Sequence, residues 1–280
     1  MRCPVPAPPA GRYVSVNGPI LVTGGTGTLG RPVVRRLLDD GREVRVLSRR
    51  PRPVEDRSPY DWATGDLSTG SGLDSALADT GVVIHCATSG GRRDVDGTRL
   101  LTEAARRAGV THLVYISIVG IDRVPFGYYR AKLESERLIE NSGVPWTVLR
   151  TTQFHDLIAK ISQVQRRLPV TLTLAGTSFQ PIEVREVADR LVELATGEPA
   201  GRVADMGGPE IRGTADLARS YLRSVGRRRP VLPLWLPGRL PKGLRQGSHL
   251  APDRAVGRTT FDEFLSEARK REGLSAEGRA

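Results

Sequence analysis

Residues 20–30 read ILVTGGTGTLG, and the order of chemistry in this stretch decides the fold. A short apolar strand runs directly into glycines, and a helical pattern opens near Leu29 and continues to Asp39. The glycines satisfy Gly25-x-Gly27-x-x-Gly30 and Gly24-x-x-Gly27-x-x-Gly30 at once. Residues without Cβ let the chain turn sharply and let backbone approach a diphosphate, while the N–H groups and dipole of the new helix attract its charge. A strand before and a helix after are the context in which such spacing means dinucleotide binding rather than an ordinary glycine-rich turn.

Outward from this stretch, apolar runs alternate with helical patterns. The strand readings are Glu43–Leu47, Val82–Cys86, His112–Ser117 and Trp146–Arg150, and the helix readings are Leu73–Ala78, Val95–Ala108 and Tyr129–Asn141. Gly41, Gly81, Gly109 and Gly143 stand where helices should stop. Repeated βα alternation with strands apolar on both faces predicts an α/β fold: a Rossmann-like, doubly wound parallel sheet over residues 19–150. After Arg150 the rhythm breaks into helices near Asp156–Arg167, Val184–Ala195 and Thr214–Val225, a strand-like TLTL and a Pro-rich loop from Pro230 to Pro241. Residues 151–280 are therefore expected to form mostly a small C-terminal substrate lobe, with elements returning to the sheet. Residues 1–18, rich in Pro and without periodicity, read as a flexible leader.

The second strand ends in Ser48-Arg49-Arg50, where a carboxylate would bind the ribose 2′-hydroxyl of NAD. None stands there. Two guanidiniums can make bidentate, charge-assisted contacts to a 2′-phosphate, which favours NADP(H) over NAD(H).

These features together resemble the atypical extended short-chain dehydrogenase/reductases, including the NmrA-like NAD(P)-binding proteins. Thr23 to Gly30 match the TGxxGxxG loop, Gly65-Asp66-Leu67 the acidic position after the third strand, and His85-Cys86-Ala87 the end of the fourth. Asp96-Gly97-Thr98 resembles the family's V-x-GT segment, and Val184-Arg185-Glu186-Val187-Ala188 its V-x-D-V-A helix start with Glu for Asp. The resemblance implies that Gly24, Thr26, Gly27, Thr28, Leu29 and Gly30 surround the pyrophosphate, that Asp66, Leu67 and Ala87 border the rest of the coenzyme, and that Arg49 and Arg50 face the 2′-phosphate.

Tyr128 and Lys132 form Y-x-x-x-K, four apart and so on one helical face. A phenol with a pKa near 10 is a poor proton carrier at neutrality, but an adjacent ammonium stabilises its phenolate. In the family such a tyrosine gives a proton to the substrate oxygen while hydride reaches its carbon, and the lysine also holds the nicotinamide ribose. Ser117 matches the hydroxyl that binds the substrate oxygen. The expected activity is an NADP(H)-dependent oxidoreduction of a carbonyl or quinone-type small molecule; the competing reading is a non-catalytic, NmrA-like NAD(P)-binding redox sensor. His155, near a helix start, reads as a cap-region or packing residue before a proton carrier, and Cys86 as inert packing.

Composition narrows the remaining classes. Two cysteines, Cys3 and Cys86, cannot form a disulfide framework, and with four scattered histidines they show no metal-ligand spacing, so no metal is expected. No apolar run is long enough to span a membrane, and the expected location is cytoplasmic. The formal net charge is +11, yet 38 of the 42 basic residues are Arg, and the stretch from Glu210 to Thr260 holds eleven basic against three acidic side chains. Such a stretch suits phosphate contact, but with few aromatics for base stacking a nucleic-acid partner is not expected. The partner is a small-molecule substrate. The segment PVLPLWLPGRLPKG, residues 230–243, reads as a loop lining a substrate cavity before a membrane contact, because its prolines oppose an amphipathic helix.

Overall fold

Along the first strand, β1 (Ile20–Thr23), consecutive side chains enter opposite layers: Ile20 and Val22 join one apolar cluster and Leu21 the other. This two-residue alternation is what a sheet covered on both faces requires. The computed structural model describes residues 18–277, with side chains as far as Arg271; residues 1–17 of the expected leader lie outside the described residues.

The chain continues through α1 (Gly30–Asp39), β2 (Val44–Ser48), β3 (Asp61–Thr64), α2 (Leu73–Leu77), β4 (Val82–His85), α3 (Arg92–Arg107), β5 (His112–Ile118), α4 (Gly127–Glu140) and β6 (Trp146–Thr151). It then forms α5 (His155–Gln163), β7 (Thr171–Leu174), β8 (Ser178–Phe179), α6 (Val184–Ala195), β9 (Gly201–Arg202), β10 (Arg212–Gly213), α7 (Thr214–Ser224), β11 (Val231–Leu234), α8 (Arg239–Arg245) and α9 (Phe261–Glu277). Seven strands make one sheet in the order β3-β2-β1-β4-β5-β6-β9, all neighbours parallel. This is the doubly wound Rossmann-like arrangement that the alternation predicts.

One face packs Val33 and Leu37 of α1 and Val187 and Leu191 of α6 onto Val22, Val46 and Ile84. The other packs Leu73 and Leu77 of α2, Leu101 of α3 and Ile139 of α4 onto Leu21, Val83 and Leu113. Each fully buried aliphatic side chain of this kind contributes about 1.5–3 kcal/mol relative to exposure. Helix α6 thus returns to the first layer although it follows the break after Arg150, and β9 extends the sheet beside β6.

Outside the large sheet, β7 pairs with β11 in parallel and β8 with β10 antiparallel. Residues 230–241 are accordingly a strand leading into α8 rather than a loop throughout. Pro233 is accommodated in β11 because this is one strand of a two-stranded sheet, where a missing N–H is tolerated. Helix α9 is a second departure from the sequence reading, which places no helix there. Its start is a capping box: Glu263 N donates to Thr260 Oγ1 at 3.3 Å, and Thr260 N donates to Glu263 Oε2 at 2.8 Å. Glu186, the acidic residue at the start of α6, accepts from Thr259 N at 2.9 Å, Thr259 Oγ1 at 2.8 Å and Arg258 N at 3.0 Å, tying the segment before α9 to the sheet's helical layer.

Candidate active site

Strand order reverses at β1, whose carboxyl end lies between β2 and β4, and the glycine loop sits in that crevice. Gly24 has φ +68, and a Cβ there would fall 2.8 Å from the backbone N and Cα of Ala87. A Cβ on Gly30 would fall 2.0 Å from Gly24 O, so α1 starts in direct contact with the turn. Gly27 N donates to Gly24 O at 2.9 Å and closes that turn. Thr26, Gly27 and Thr28 are exposed, Leu29 and Gly30 buried. The N–H groups of Thr26, Thr28 and Leu29 have no acceptor among the described residues. A cradle free of Cβ, rimmed by unsatisfied donors at a helix start, fits a diphosphate.

Beside it, Gly65 N donates to Ser48 O at 2.9 Å and brings the Gly65-Asp66-Leu67 segment against the end of β2. Asp66 accepts from Ser68 N and Ser68 Oγ, both at 2.8 Å; these bonds, then the Arg49 guanidinium, hold its carboxyl below the usual range. Arg49 and Arg50 are exposed, and neither makes an ion pair among the described residues. Leu67 is half-buried against α3, where a Cβ on Gly97 would meet its own Cβ at 3.2 Å. Glycine at position 97 therefore lets the loop carrying Leu67 pack directly against α3.

A polar column crosses from β1 to α4. His85 Nδ1 accepts from Thr23 Oγ1 at 2.7 Å, and Ala87 N donates to the same hydroxyl at 3.3 Å. Thr98 gives its proton to Asp94 O at 2.7 Å, so His85 Nε2 donates to Thr98 Oγ1 at 3.3 Å. Burial, then the Lys132 ammonium, pushes the His85 imidazole down to about 3, which keeps it neutral. Its ring stacks on Tyr115 at 5.2 Å.

Helix α4 carries both Tyr128 and Lys132. Lys132 is 3% exposed; Nζ donates to Ile116 O at 3.0 Å and lies 4.5 Å from the Tyr115 ring centre. Tyr128 is half-buried, and its hydroxyl lies 3.1 Å from Thr88 Oγ1. Ser117, near the end of β5, is 1% exposed, and its Oγ has no hydrogen-bond partner among the described residues. Ile118, next in sequence, shares an apolar cluster with Tyr128 and with Leu240 and Leu244 of α8, so the C-terminal lobe covers the start of α4.

Sequence reading missed Thr88 and Asp94. Thr88 Oγ1 donates to Asp94 Oδ2 at 2.6 Å, and Asp94 also accepts from Ser89 N at 2.6 Å and Ser89 Oγ at 2.9 Å. Burial raises the Asp94 pKa, but bonds from Thr88, Ser89 and Gly90 outweigh it and leave the carboxyl below its ordinary value. The available signal was the small polar run Thr88-Ser89-Gly90-Gly91 directly after β4, with an acid in the first turn of α3. His155 proves to be packed: fully buried, its Nε2 lies 3.0 Å from Thr259 O and its ring 5.2 Å from Phe264. Burial pushes the half-buried Cys86 thiol up to about 12, so it is no nucleophile at neutral pH.

Residues 24–198 match the model of the NAD(P)H-binding family. A (4-alkanoyl-5-oxo-2,5-dihydrofuran-3-yl)methyl phosphate reductase of Streptomyces griseus is 32% identical over 213 residues, 74% of this chain and 74% of that protein. Photosystem II assembly factor Ycf39 of Cyanophora paradoxa is 31% identical over 229 residues, 76% of this chain and 70% of its own length. In fold, an NADPH-dependent quinone oxidoreductase of Escherichia coli, solved with NADPH, superposes with a TM-score of 0.78 at 19% identity, covering 89% of this chain and 99% of that one. The glycine cradle, the parallel sheet and these likenesses agree: the chain, whose motifs resemble the atypical short-chain dehydrogenase/reductases, belongs to the NAD(P)H-binding family.

Proposed function

We propose that this protein is an NADPH-dependent reductase acting on a carbonyl, or on a carbonyl-conjugated double bond of the quinone or unsaturated lactone kind. The observation that carries this reading is that α4 holds both Tyr128, bonded to Thr88 after β4, and Lys132, bonded to Ile116 O of β5, while Ser117 Oγ at the end of β5 has no hydrogen-bond partner among the described residues. The relatives support it from two sides, since one is a reductase of an unsaturated lactone phosphate and a structural neighbour reduces quinones.

When bound, the coenzyme supplies hydride. The loop Gly24–Gly30 holds its diphosphate through the free amides of Thr26, Thr28 and Leu29. Arg49 and Arg50 bind the 2′-phosphate, which favours NADPH over NADH; Asp66 and Leu67 border the adenine and Ala87 the crevice floor. Tyr128 donates the proton to the substrate oxygen, and Ser117 gives that oxygen a second hydrogen bond. Lys132, held on Ile116 O, would stabilise the phenolate and hold the nicotinamide ribose. Helix α8 covers the start of α4 and limits water at the reacting end.

The test is titration of purified protein with NADPH and NADH by fluorescence, then a panel of quinones, unsaturated lactones and aldehydes. Reduction that Tyr128→Phe abolishes supports the assignment. Coenzyme binding without turnover across the panel favours the binding-only reading, to which the assembly-factor relative also points.

A further inference from the structure

The C-terminal lobe contains a cavity of about 230 Å³ that shares no residue with the site just described. It lies between α5, β7, α7 and β11, lined chiefly by Ile158, Ile161, Leu174, Phe179, Leu217 and Leu234. A cavity of roughly 150 Å³ lined by such side chains stays dry and accepts benzene, so this one has room for a medium-length hydrocarbon chain. Its rim is apolar as well: Leu172, Leu234 and Leu236 are exposed, and Trp235 beside them is 67% exposed. Within the lining, Thr173 Oγ1 is a buried oxygen with no hydrogen-bond partner among the described residues.

The charge around the cavity is one-sided. From Leu157 to Ile182 and from Leu217 to Pro252 the sequence has no Asp or Glu, but eleven Lys and Arg. None of the eleven makes an ion pair among the described residues, whereas the neighbouring Asp216 and Asp262 are both taken by Arg212. Two guanidiniums are fastened to lining residues. Arg229 Nη1 donates to Gln165 O at 3.1 Å, and Arg245 Nη1 donates to Leu236 O at 3.0 Å while its guanidinium lies 3.9 Å from the Trp235 ring centre. Those bonds position the cations without neutralising them.

We propose that this cavity binds an anionic amphiphile: an alkyl or acyl chain of about eight to ten carbons enters between α5 and α7, and its phosphate or carboxylate head meets Arg229 and Arg245. Chain burial supplies affinity, and uncompensated positive charge selects the head. Such a ligand could be a free acyl metabolite or the chain of a membrane lipid, and the two differ in whether a bilayer is needed.

Calorimetric titration with decyl phosphate tests the site. Saturable one-to-one binding is expected, about fifteen-fold weaker for octyl phosphate because two methylenes fewer are buried, and absent for decyltrimethylammonium. Ala218→Phe fills the cavity, and Leu236→Asp places a charge at the exposed rim, where folding is not at risk; each should weaken binding at least tenfold with NADPH affinity and melting temperature unchanged. Sedimentation with phosphatidylglycerol or phosphatidylcholine vesicles separates the sources. Retention on the anionic vesicles alone, lost in Leu236→Asp, assigns a lipid; no retention beside intact decyl phosphate binding assigns a free amphiphile. Failure of decyl phosphate to saturate, or equal binding by both variants, overturns the proposal.

Discussion

Tyr128 donates its phenolic proton to Thr88 Oγ1 across 3.1 Å, because the Thr88 proton is already committed to Asp94 Oδ2 at 2.6 Å. The loop after β4 therefore sets where the phenol points. Replacing Tyr128 by Phe should reduce kcat by about 10²–10⁴-fold, the usual contribution of a positioned proton donor, and change NADPH affinity less than threefold. Thr88→Val should lower kcat/KM by roughly threefold to tenfold, the effect of one orienting hydrogen bond, with KM for NADPH unchanged. Steady-state kinetics with any accepted quinone checks both, and wild-type rates in Tyr128→Phe would remove that residue from the chemistry.

Arg49 and Arg50 follow the end of β2, with Arg49 acting on Asp66, and neither guanidinium makes an ion pair among the described residues. Their joint replacement by Ala should weaken NADPH at least tenfold while leaving NADH within about twofold, since a charge-assisted contact contributes about 1.5–3 kcal/mol. Competitive fluorescence titration reads the ratio directly.

Gly24 combines φ +68 with a contact that a Cβ could not enter. Gly24→Ala should abolish coenzyme binding and lower stability by about 1–3 kcal/mol, through both the left-handed backbone and the clash with Ala87. Thermal melts with and without NADPH distinguish the two losses: the variant melts lower and gains nothing from coenzyme.

Glu136 on α4 receives Arg150 Nη2 at 2.6 Å and Arg150 Nε at 2.8 Å, and both side chains are almost fully buried. This pair locks the helix that carries Tyr128 and Lys132 to β6. Removing Glu136 leaves the buried Arg150 with only the exposed Asp122 carboxylate, 3.3 Å from Nη1, so Glu136→Ala should cost up to about 3–5 kcal/mol in urea unfolding.

All four histidines, His85, His112, His155 and His249, have pKa values lowered by burial, with His112 down to about 4. In the unfolded chain they take up protons below about pH 6.5, while in the folded protein burial shifts that uptake to lower pH. The unfolded state thus binds more protons across that window, and stability must fall as pH drops from 6.5 towards 4. Each histidine contributes at most about 1.4 kcal/mol per pH unit there. Melting curves between pH 7 and 5 should show this slope, reduced in His85→Asn.

The main sheet and the glycine cradle were legible because each depends on a local pattern. A strand buried on both faces is a continuous apolar run, as in Val82–His85, and a turn that excludes Cβ leaves glycines at a fixed spacing, as in Gly24, Gly27 and Gly30. Thr88 and Asp94 were not legible as site residues, since a Thr six positions before an Asp is unremarkable until the loop folds back, bonds Thr88 to Asp94 and sets Thr88 against Tyr128. Strand β11 was hidden by Pro233, which disfavours a strand in isolation and is tolerated because β7 supplies the partner. Helix α9 carried a capping box, Thr260 to Glu263, that is readable in the sequence as T-x-x-E.

By itself, then, the sequence determined the layered α/β fold, the position of the glycine turn and the Tyr128/Lys132 spacing, all of which arise from periodicity and short-range sterics. Tertiary structure alone decided that Lys132 is buried on Ile116 O, that α8 covers the start of α4 and that, among the described residues, Ser117 Oγ has no hydrogen-bond partner and an apolar cavity opens beside arginines without ion pairs. Those outcomes depend on which segments far apart in the chain meet, and neither helical nor strand periodicity carries that information.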